Sequence, residues 1–303
     1  NMRWPLFLLP LVFGGELFAQ TGQNCNCTPY SMRSVVEVTD NNGAGVGTAA
    51  WSCDTIYLLT ETVFINQGDS LTIEPGTVIQ GRAGIITDTL TYTLPNGNPS
   101  KRIDYVFSQE AGSLVVSPGG WIGADGTLEC PIVFTHEGDL LNGSSNLATR
   151  GQWGGLVVCG HGEINTYDGD DFAEGVTDPS GQDRHLYGTG EDPHSSSGIL
   201  RYISLRHGST SLGVSQFGNG NETNLLQLCA IGSETIVDHI ETAASADDGI
   251  QIFGGIPDVS HLITAFNAED QIEFDQGWRG RGQHIFALAN PSQGLGDHAG
   301  DFE

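Results

Sequence analysis

The chain has 303 residues and a formal net charge of −26, because 37 acidic residues outnumber 11 basic ones. Nucleic-acid binding depends on Lys and Arg neutralising phosphates, so this composition excludes nucleic acid as a partner and disfavours an anionic membrane surface. Divalent cations are the natural counter-ligands of such a surface. With 43 glycines and few helical stretches, the composition predicts a many-turned β structure.

The first residues have the layout of a secretory signal peptide. Arg3 precedes an apolar run at residues 4–13, and the segment ends in the small residue Ala19. This predicts a signal peptide at residues 1–19 and a secreted or cell-surface protein. The apolar run is too short for a spanning helix, so we expect no membrane-spanning segment in the mature chain. The last residues show no terminating pattern, and we expect the chain to continue beyond them.

Six cysteines follow the predicted signal peptide, and an oxidising compartment permits disulfides among them. Their fifteen possible pairings are left open, although Cys25 and Cys27 are too close to bond each other. Cysteines scattered among β coils are equally compatible with buried free thiols. The six are Cys25, Cys27, Cys53, Cys130, Cys159 and Cys229.

The first half of the chain contains two similar strand–corner–strand segments after a lead-in or cap at residues 20–54. Residues 71–79 match residues 114–122 at an offset of 43, and each segment has a Pro-Gly corner between two short strands. The polar stretch at 84–110 is predicted to be a loop insertion between coils.

A second insertion is predicted at residues 161–198, after a strand at 155–158 and before another at 200–205. From Glu163 to Asp192 it contains nine acidic residues and one basic residue, Arg184. In a solenoid, such insertions project from one side and often form the wall of a binding groove.

The last third of the chain repeats itself. Residues 236–253 align with 258–274 at an offset of 22, and a further His-apolar pair, His284-Ile285, follows 23 residues after His261. A period of about 22 residues fits one coil of a β-solenoid. We therefore predict an all-β fold, a β-helix over residues 55–303, with equivalent positions stacked along its axis.

Alternation of apolar and polar residues assigns faces in part of this repeat. Ile250 and Ile252 should point inward, which leaves Gln251 and Glu273 on the solvent side. Around His239 the pattern is ambiguous, because Val237, on the same face as His239, and Ile240, on the other face, are both apolar.

The repeat also stacks carboxylates. Coils lie about 4.8 Å apart, so carboxylates at equivalent positions repel each other unless a proton or cation lies between them. Ca²⁺ would suit such a cluster, and it is the one cofactor the sequence suggests. The alternative is that these carboxylates only form turns by accepting backbone hydrogen bonds. The candidate ligands are Asp247, Asp248, Glu269, Asp270 and Asp275.

Next to these carboxylates, Trp278 and Arg279 are candidate glycan-binding residues, because Trp stacks on sugar rings and Arg pairs with the carboxylate of an acidic sugar. The alternative is that Arg279 and Arg281 only neutralise Asp270 and Asp275. The three histidines of the repeat, His239, His261 and His284, form either a side-chain ladder or a transition-metal site.

Five segments carry a resemblance to a known family: LTIEPGTVIQG, GQWGGLVV, LRYISLRHG, SADDGIQIFGG and EDQIEFDQGWRGRGQ. They resemble a family of secreted right-handed parallel β-helix proteins of Bacteroidetes, which often carry a C-terminal type IX secretion sorting domain. The resemblance covers residues 55–303 and implies a right-handed parallel β-helix in an exported, surface-associated setting.

Three functions follow as hypotheses. The first is a surface or adhesive module that binds extracellular glycans or a cell surface and is stabilised by Ca²⁺. The second is a polysaccharide lyase or glycoside hydrolase acting in a groove near residues 247–284. The third is a structural spacer for a further C-terminal domain. The sequence contains no nucleophile elbow, phosphate loop or HExxH motif, which favours a non-enzymatic module. The candidate catalytic residues of the second hypothesis are Asp248, Asp270, Arg279, Arg281 and His284.

Overall fold

The computed structural model describes residues 25–93, 99–210, 223–289 and 298–302. Within these ranges the chain winds into a parallel β-helix, which confirms the all-β solenoid predicted from the repeat. Ile250 pairs with Ile272 in parallel register, so successive coils stack as the offset of 22 required. The predicted signal peptide lies outside the described residues.

Each complete coil contributes to three faces of the solenoid. Face 1 is a seven-stranded parallel sheet, and faces 2 and 3 are the two halves of an eleven-stranded sheet. The strands of face 1 are β4 (Thr62–Ile65), β9 (Ser113–Val116), β12 (Leu156–Cys159), β16 (Leu226–Cys229), β18 (Ile250–Phe253), β20 (Ile272–Asp275) and β22 (Asp301–Phe302).

In the early coils, faces 2 and 3 are built from separate strands. Face 2 contains β2 (Ala49–Trp51), β5 (Ser70–Ile73) and β10 (Trp121–Asp125). Face 3 contains β1 (Ser34–Val38), β3 (Thr55–Leu59), β6 (Val78–Gly81) and β11 (Ile132–His136).

In the later coils one long strand crosses both faces and bends between them. These strands are β15 (Gly198–Arg206), β17 (Ile236–Ala243), β19 (Val259–Ala265) and β21 (Gly282–Leu288). The first half of β15 pairs with β10 and its second half with β11. The bend residue has a left-handed backbone, with φ values of 49° at Tyr202 and 54° at His239.

This bend explains the ambiguous pattern around the histidines. Val237 and Ile240 are 3% and 1% exposed, so both point into the core although three positions separate them. A regular strand would place them on opposite faces. The left-handed residue His239 reverses the alternation and itself faces outward, with its side chain 35% exposed.

The core runs along the axis and is filled by apolar side chains from all three faces. Ile250, Ile252 and Ile272 are at most 2% exposed and Phe274 is 7% exposed, which confirms their predicted inward orientation. Burying each such side chain contributes about 1.5–3 kcal/mol to the free energy of folding.

The two Pro-Gly corners are turns, as the sequence indicates, but they lie at different corners of the coil. Gly76 and Gly119 have φ values of 83° and 78°, as a turn with Pro before Gly requires. However, the turn at Gly76 joins faces 2 and 3, whereas the turn at Gly119 joins faces 1 and 2. Leu71 pairs with Ile122 rather than stacking with Leu114. The offset of 43 therefore relates different corners of the coil.

Two antiparallel pairs project from the solenoid. The first is formed by β7 (Ile85–Thr93) and β8 (Pro99–Gln109), between β6 and β9. The second, formed by β13 (Asp170–Phe172) and β14 (Leu186–Gly188), lies in the segment at 161–198, which we call the insertion. The insertion packs on the outside of face 1 through Ala173, Val176 and Tyr187.

The N-terminal residues already belong to the solenoid, because β1 and β2 pair with strands of later coils. They follow a single 3-10 turn at Tyr30–Met32. Disulfides join Cys25 to Cys130 and Cys27 to Cys53, while Cys159 and Cys229 are buried thiols. The part of the chain that the structure describes contains no helix with the length and apolar character that crossing a membrane requires.

Candidate functional site

A cleft of about 440 Å³ lies between the outer surface of face 1 and the insertion. One wall consists of the corner before β18 and β20 together with the outward side chains of these strands. The other wall comes from β13, β14 and the residues that follow β13. The lining residues are Asp171, Phe172, Glu174, Tyr187, Asn224, Asp247, Asp248, Gln251, Phe253, Glu269, Glu273, Asp275 and Gln276.

Seven of these lining residues are carboxylates, and the described lining contains no Lys, Arg or His. Both walls contribute: Asp171 and Glu174 belong to the insertion, and the other five belong to the coils. Charges that converge in this way repel each other strongly unless protons or cations separate them. The cleft is therefore a strongly acidic concavity.

The coil wall is organised by a ladder of turn hydrogen bonds. The backbone N–H of Asp248 donates to Asn224 Oδ1 (3.2 Å), and the N–H of Asp270 donates to Asp248 Oδ1 (2.8 Å). One coil further, the N–H of His298 donates to Asp270 Oδ1 (2.6 Å). This is the turn-forming role proposed as the alternative to cation binding. It fixes Asp248 and Asp270 and leaves Asp247 and Glu269 to project outward.

Three carboxylates of this wall are close enough to share a cation. One oxygen each from Asp247, Asp248 and Glu269 lie within 4.8 Å of one another. Burial, a hydrogen bond with Glu273 and the charge of Asp247 together raise the pKa of Asp248 far above its usual range. The raised pKa favours the protonated form of Asp248 at neutral pH when no cation is bound.

The strands beneath the cleft carry polar side chains in register. Gln227, Gln251 and Glu273 occupy the same outward column of β16, β18 and β20. The Gln251 amide donates to Glu273 and accepts from Asn224. Gln251 is only 5% exposed, so its predicted solvent-side position is corrected: it points away from the core, but the insertion covers it.

The insertion wall is held to the coils by specific contacts. The Tyr187 hydroxyl donates to Gln276 Oε1 (2.9 Å), and the Gln276 amide donates to Asp171 Oδ2 (3.0 Å). Beneath them Tyr187 packs against Phe253, with ring centroids 6.1 Å apart. These contacts set the position of Asp171 opposite the coil carboxylates.

At its far end the insertion is anchored by Arg184, its one basic residue within 163–192. The guanidinium forms paired hydrogen bonds with Asp40 (3.0 and 2.8 Å) and with Asp178 (3.0 and 2.7 Å), and it lies 3.8 Å from the centre of the Phe64 ring. Burial opposes ionisation of Asp178, but hydrogen bonds from Arg184 and Ser180 outweigh it and hold the pKa of that carboxyl well below its usual range.

A family model described as a pectate-lyase-like beta helix domain matches residues 43–303. The chain belongs to this family. Neither a curated protein nor a solved structure gives a significant match to it.

Within this pectate-lyase-like β-helix domain, four of the five predicted cation ligands line the cleft: Asp247, Asp248, Glu269 and Asp275. The fifth, Asp270, lies one coil beyond Asp248, and one of its oxygens is near His298 and Asp301. His298 Nδ1 lies 3.3 Å from Asp270 Oδ1.

The remaining predicted site residues lie outside the cleft lining. Trp278 stacks on Phe274 with ring centroids 4.5 Å apart, and its Nε1–H donates to the Pro257 carbonyl (3.1 Å). Trp278 is therefore partly buried and packs against the core. His284 belongs to β21, on the other two faces of the solenoid.

The arginines have other partners than the carboxylates suggested from the sequence. Arg279 forms an ion pair with Glu163 of the insertion, and Arg281 forms one with Asp258. Asp248, Asp270, Arg279 and His284 thus do not line one common groove.

Sequence reasoning did not identify the individual residues of the opposite wall, Asp171, Glu174 and Tyr187. The signal that was available is the excess of acidic residues in the insertion, which marked it as the wall of a groove. Glu273 was recognised as outward-facing, but its place in the cleft depends on the insertion above it.

Proposed function

We propose that this domain is an exported carbohydrate-binding module whose acidic cleft is loaded with Ca²⁺. The observation that carries the proposal is the convergence of seven carboxylates from two walls on a cleft whose described lining has no basic side chain. Membership in the pectate-lyase-like β-helix family supports a polysaccharide-related role.

The choice of Ca²⁺ rests on the ligand set. Ca²⁺ takes six to eight oxygen ligands at 2.3–2.6 Å in flexible geometries. Asp247, Asp248 and Glu269 supply oxygens that already lie within 4.8 Å of one another. A bound cation would stabilise the ionised form of Asp248 and release its proton, so binding should strengthen as the pH rises.

A loaded cation also weakens the main electrostatic objection to a glycan partner. A protein with a net charge of −26 repels acidic polysaccharides at long range. Ca²⁺ in the cleft reduces the local negative charge and offers open coordination positions to sugar hydroxyl or carboxylate oxygens. The partly exposed ring of Phe172 at the rim adds an apolar surface for a sugar ring.

Export is proposed on the layout of residues 1–19 and is supported by the two disulfides, which persist in oxidising compartments. The partners in that setting would be extracellular glycans or a cell surface.

The test is thermal melting with and without Ca²⁺, combined with binding to immobilised glycans. At a Ca²⁺ concentration about 100 times Kd, one site stabilises the fold by about 2.7 kcal/mol. Glu269→Gln should lose most of this stabilisation and the Ca²⁺-dependent glycan binding. Glu234→Gln is the matched control, because it removes an exposed carboxylate outside the cleft lining. An equal Ca²⁺ response in both variants would reject the assigned site.

A second candidate function, glycoside hydrolysis, is favoured by one specific observation. Asp248 is a buried carboxyl whose pKa is strongly raised, and Asp171 and Glu174 face it from the other wall. A raised acid and an opposed carboxylate are the two groups that such hydrolysis requires. A lyase has less support, because the described cleft lining offers no Arg or His as a base.

Enzyme assays separate these possibilities. Reducing-end release from neutral polysaccharides that disappears in Asp248→Asn would identify a hydrolase, and absorbance at 235 nm would reveal the unsaturated products of a lyase. Ca²⁺-dependent binding without either product supports the binding module.

A further inference from the structure

A second cluster of ligand-forming side chains lies on the opposite side of the solenoid from the cleft, at the bend between faces 2 and 3. Four successive coils place Tyr202, His239, His261 and His284 at this bend. Neighbouring rings are stacked with centroids 4.3, 4.3 and 4.7 Å apart and are inclined to each other by 27°, 15° and 16°.

The backbone at this bend does not by itself call for histidine. All four residues are left-handed, with φ between 49° and 57°, a conformation that Gly and Asn adopt most readily and that Tyr202 shares with the three histidines. Strained residues of this kind often mark functional positions. The side chains of His239 and His261 are therefore the features to explain.

Both imidazoles converge on one carboxylate. His239 Nδ1 lies 2.8 Å from Asp238 Oδ2, and His261 Nδ1 lies 2.8 Å from Asp238 Oδ1. The Ser260 hydroxyl donates to the same carboxylate at 2.7 Å and fixes its orientation. Burial works against ionisation of Asp238, but hydrogen bonds from Ser260, His261 and His239 outweigh it and lower its pKa to about 2. An ionised carboxylate only accepts, so each Nδ1 carries the donated proton.

We propose that Asp238, His239 and His261 form a binding site for a transition-metal ion of the Zn²⁺ class. One ligand atom from each residue lies within 4.8 Å of the other two. The ion takes the place of the two Nδ1 protons between the imidazoles and the carboxylate. Each neutral imidazole carries its proton on Nε2 instead and binds the ion through the Nδ1 lone pair. An ion bound at about 2.0–2.1 Å lies near the plane of each imidazole, so binding requires the two stacked rings to tilt towards it.

The ligand set determines which ion is taken. Two imidazole nitrogens and one carboxylate oxygen suit Zn²⁺, Ni²⁺ or Cu²⁺, whereas Ca²⁺ prefers oxygen ligands alone. The site is accessible, because the side chains of Asp238, His239 and His261 are 25%, 35% and 45% exposed. Three protein ligands leave at least one position open to water or to a group from another molecule.

The test is calorimetric titration of the chelator-treated protein with ZnCl₂ in the presence of excess Ca²⁺, which saturates oxygen-only sites. We expect one Zn²⁺ per chain at this site. Asp238→Asn and His261→Gln should each weaken binding by at least about tenfold, since each removes a ligand.

Two control variants keep this test specific. His284→Gln removes a ring from the same stack that lies two coils beyond Asp238, and His298→Gln removes the histidine of the separate cluster with Asp270 and Asp301. Both should bind Zn²⁺ within about twofold of the wild-type affinity. With Cu²⁺ as the probe, electron paramagnetic resonance should show two coupled imidazole nitrogens in the wild-type protein and one in His261→Gln.

Three results would overturn the proposal: no Zn²⁺ binding, unchanged affinity in both ligand variants, or an equal loss in either control. Thermal melting without metal shows whether each variant is folded. If His261→Gln is not folded, the Zn²⁺ affinity of Asp238→Asn decides the test.

Discussion

Replacing Arg184 by Met should detach the insertion from the first coils. The substitution keeps the length of the apolar stem over Phe64 but removes the charge that holds Asp40 and Asp178. The two buried carboxylates would then lack their cationic partner. Removing one partner of a buried ion pair is strongly destabilising, because it leaves an uncompensated buried charge.

The magnitude follows from burial. The side chains of Arg184, Asp40 and Asp178 are 7%, 9% and 1% exposed, so solvent screens them little. Removing one partner of such a pair lowers the free energy of unfolding by about 3–5 kcal/mol. Arg279→Met is the matched control, because its ion pair with Glu163 also links the insertion to the coils. That pair is 56% and 55% exposed and contributes at most about 1 kcal/mol.

The two variants are compared by chemical denaturation and by limited proteolysis within residues 161–198. Arg184→Met should be cleaved faster there than the wild type and should show a weaker Ca²⁺ response, since Asp171 and Glu174 leave the cleft. If Arg184→Met and Arg279→Met lose similarly small amounts of stability, the view that the buried network holds the insertion is refuted.

Three further predictions concern the core, a tight corner and the cleft acid. Ile252→Ala should lower the free energy of unfolding by about 2–5 kcal/mol in denaturant titrations, whereas Ile236→Ala, at a site 41% exposed, should change it by less than about 0.5 kcal/mol. Similar losses in the two variants would contradict the inward orientation of Ile252. Gly198→Ala should abolish the native melting transition, because the new Cβ would lie 1.9 Å from the Ile122 carbonyl oxygen. Gly68→Ala is the control: its Cβ has open space, and it should lower the free energy of unfolding by roughly 1–2 kcal/mol. A native-like melting curve for Gly198→Ala would show that the coil spacing is wrong. Without Ca²⁺, Asp248→Asn should melt at a higher temperature than the wild type at pH 7 and at the same temperature at pH 3–4. A carboxyl whose pKa is raised in the folded state contributes stability that is present below its unfolded-state pKa of about 3.9 and is lost as the pH rises. Melting curves that show a less stable variant at pH 7 would contradict a raised pKa at Asp248.

The sequence predicted the solenoid well because stacking requires like residues at like positions. The pair Ile250 and Ile272 reveals this periodicity directly, and the structure places them in register. The Pro-Gly corners were recognised as turns, but such a turn suits any of the three corners of a coil. A match between Gly76 and Gly119 therefore does not establish that they are stacked.

The remaining features depend on contacts between distant residues or on the backbone conformation. Gln251 alternates correctly but is buried because the insertion, which begins some 90 residues earlier, folds over it. Arg184 binds Asp40 across 144 positions, and nothing local to either residue indicates this. At His239 a single left-handed residue reverses the inside-outside alternation, so a pattern of period two could not assign its face.

The two disulfides give the molecule unequal ends. They tie Cys25 to Cys130 and Cys27 to Cys53, so both cross-links lie in the earliest windings. The later windings, which include β16 to β21, are held to each other without a disulfide, since Cys159 and Cys229 are thiols. Because each winding of a solenoid contacts mainly its neighbours, tension applied at both termini should peel the later windings away one after another. The early windings would stay closed until the bridges are reduced, so the domain should extend stepwise under load from its carboxyl-terminal side.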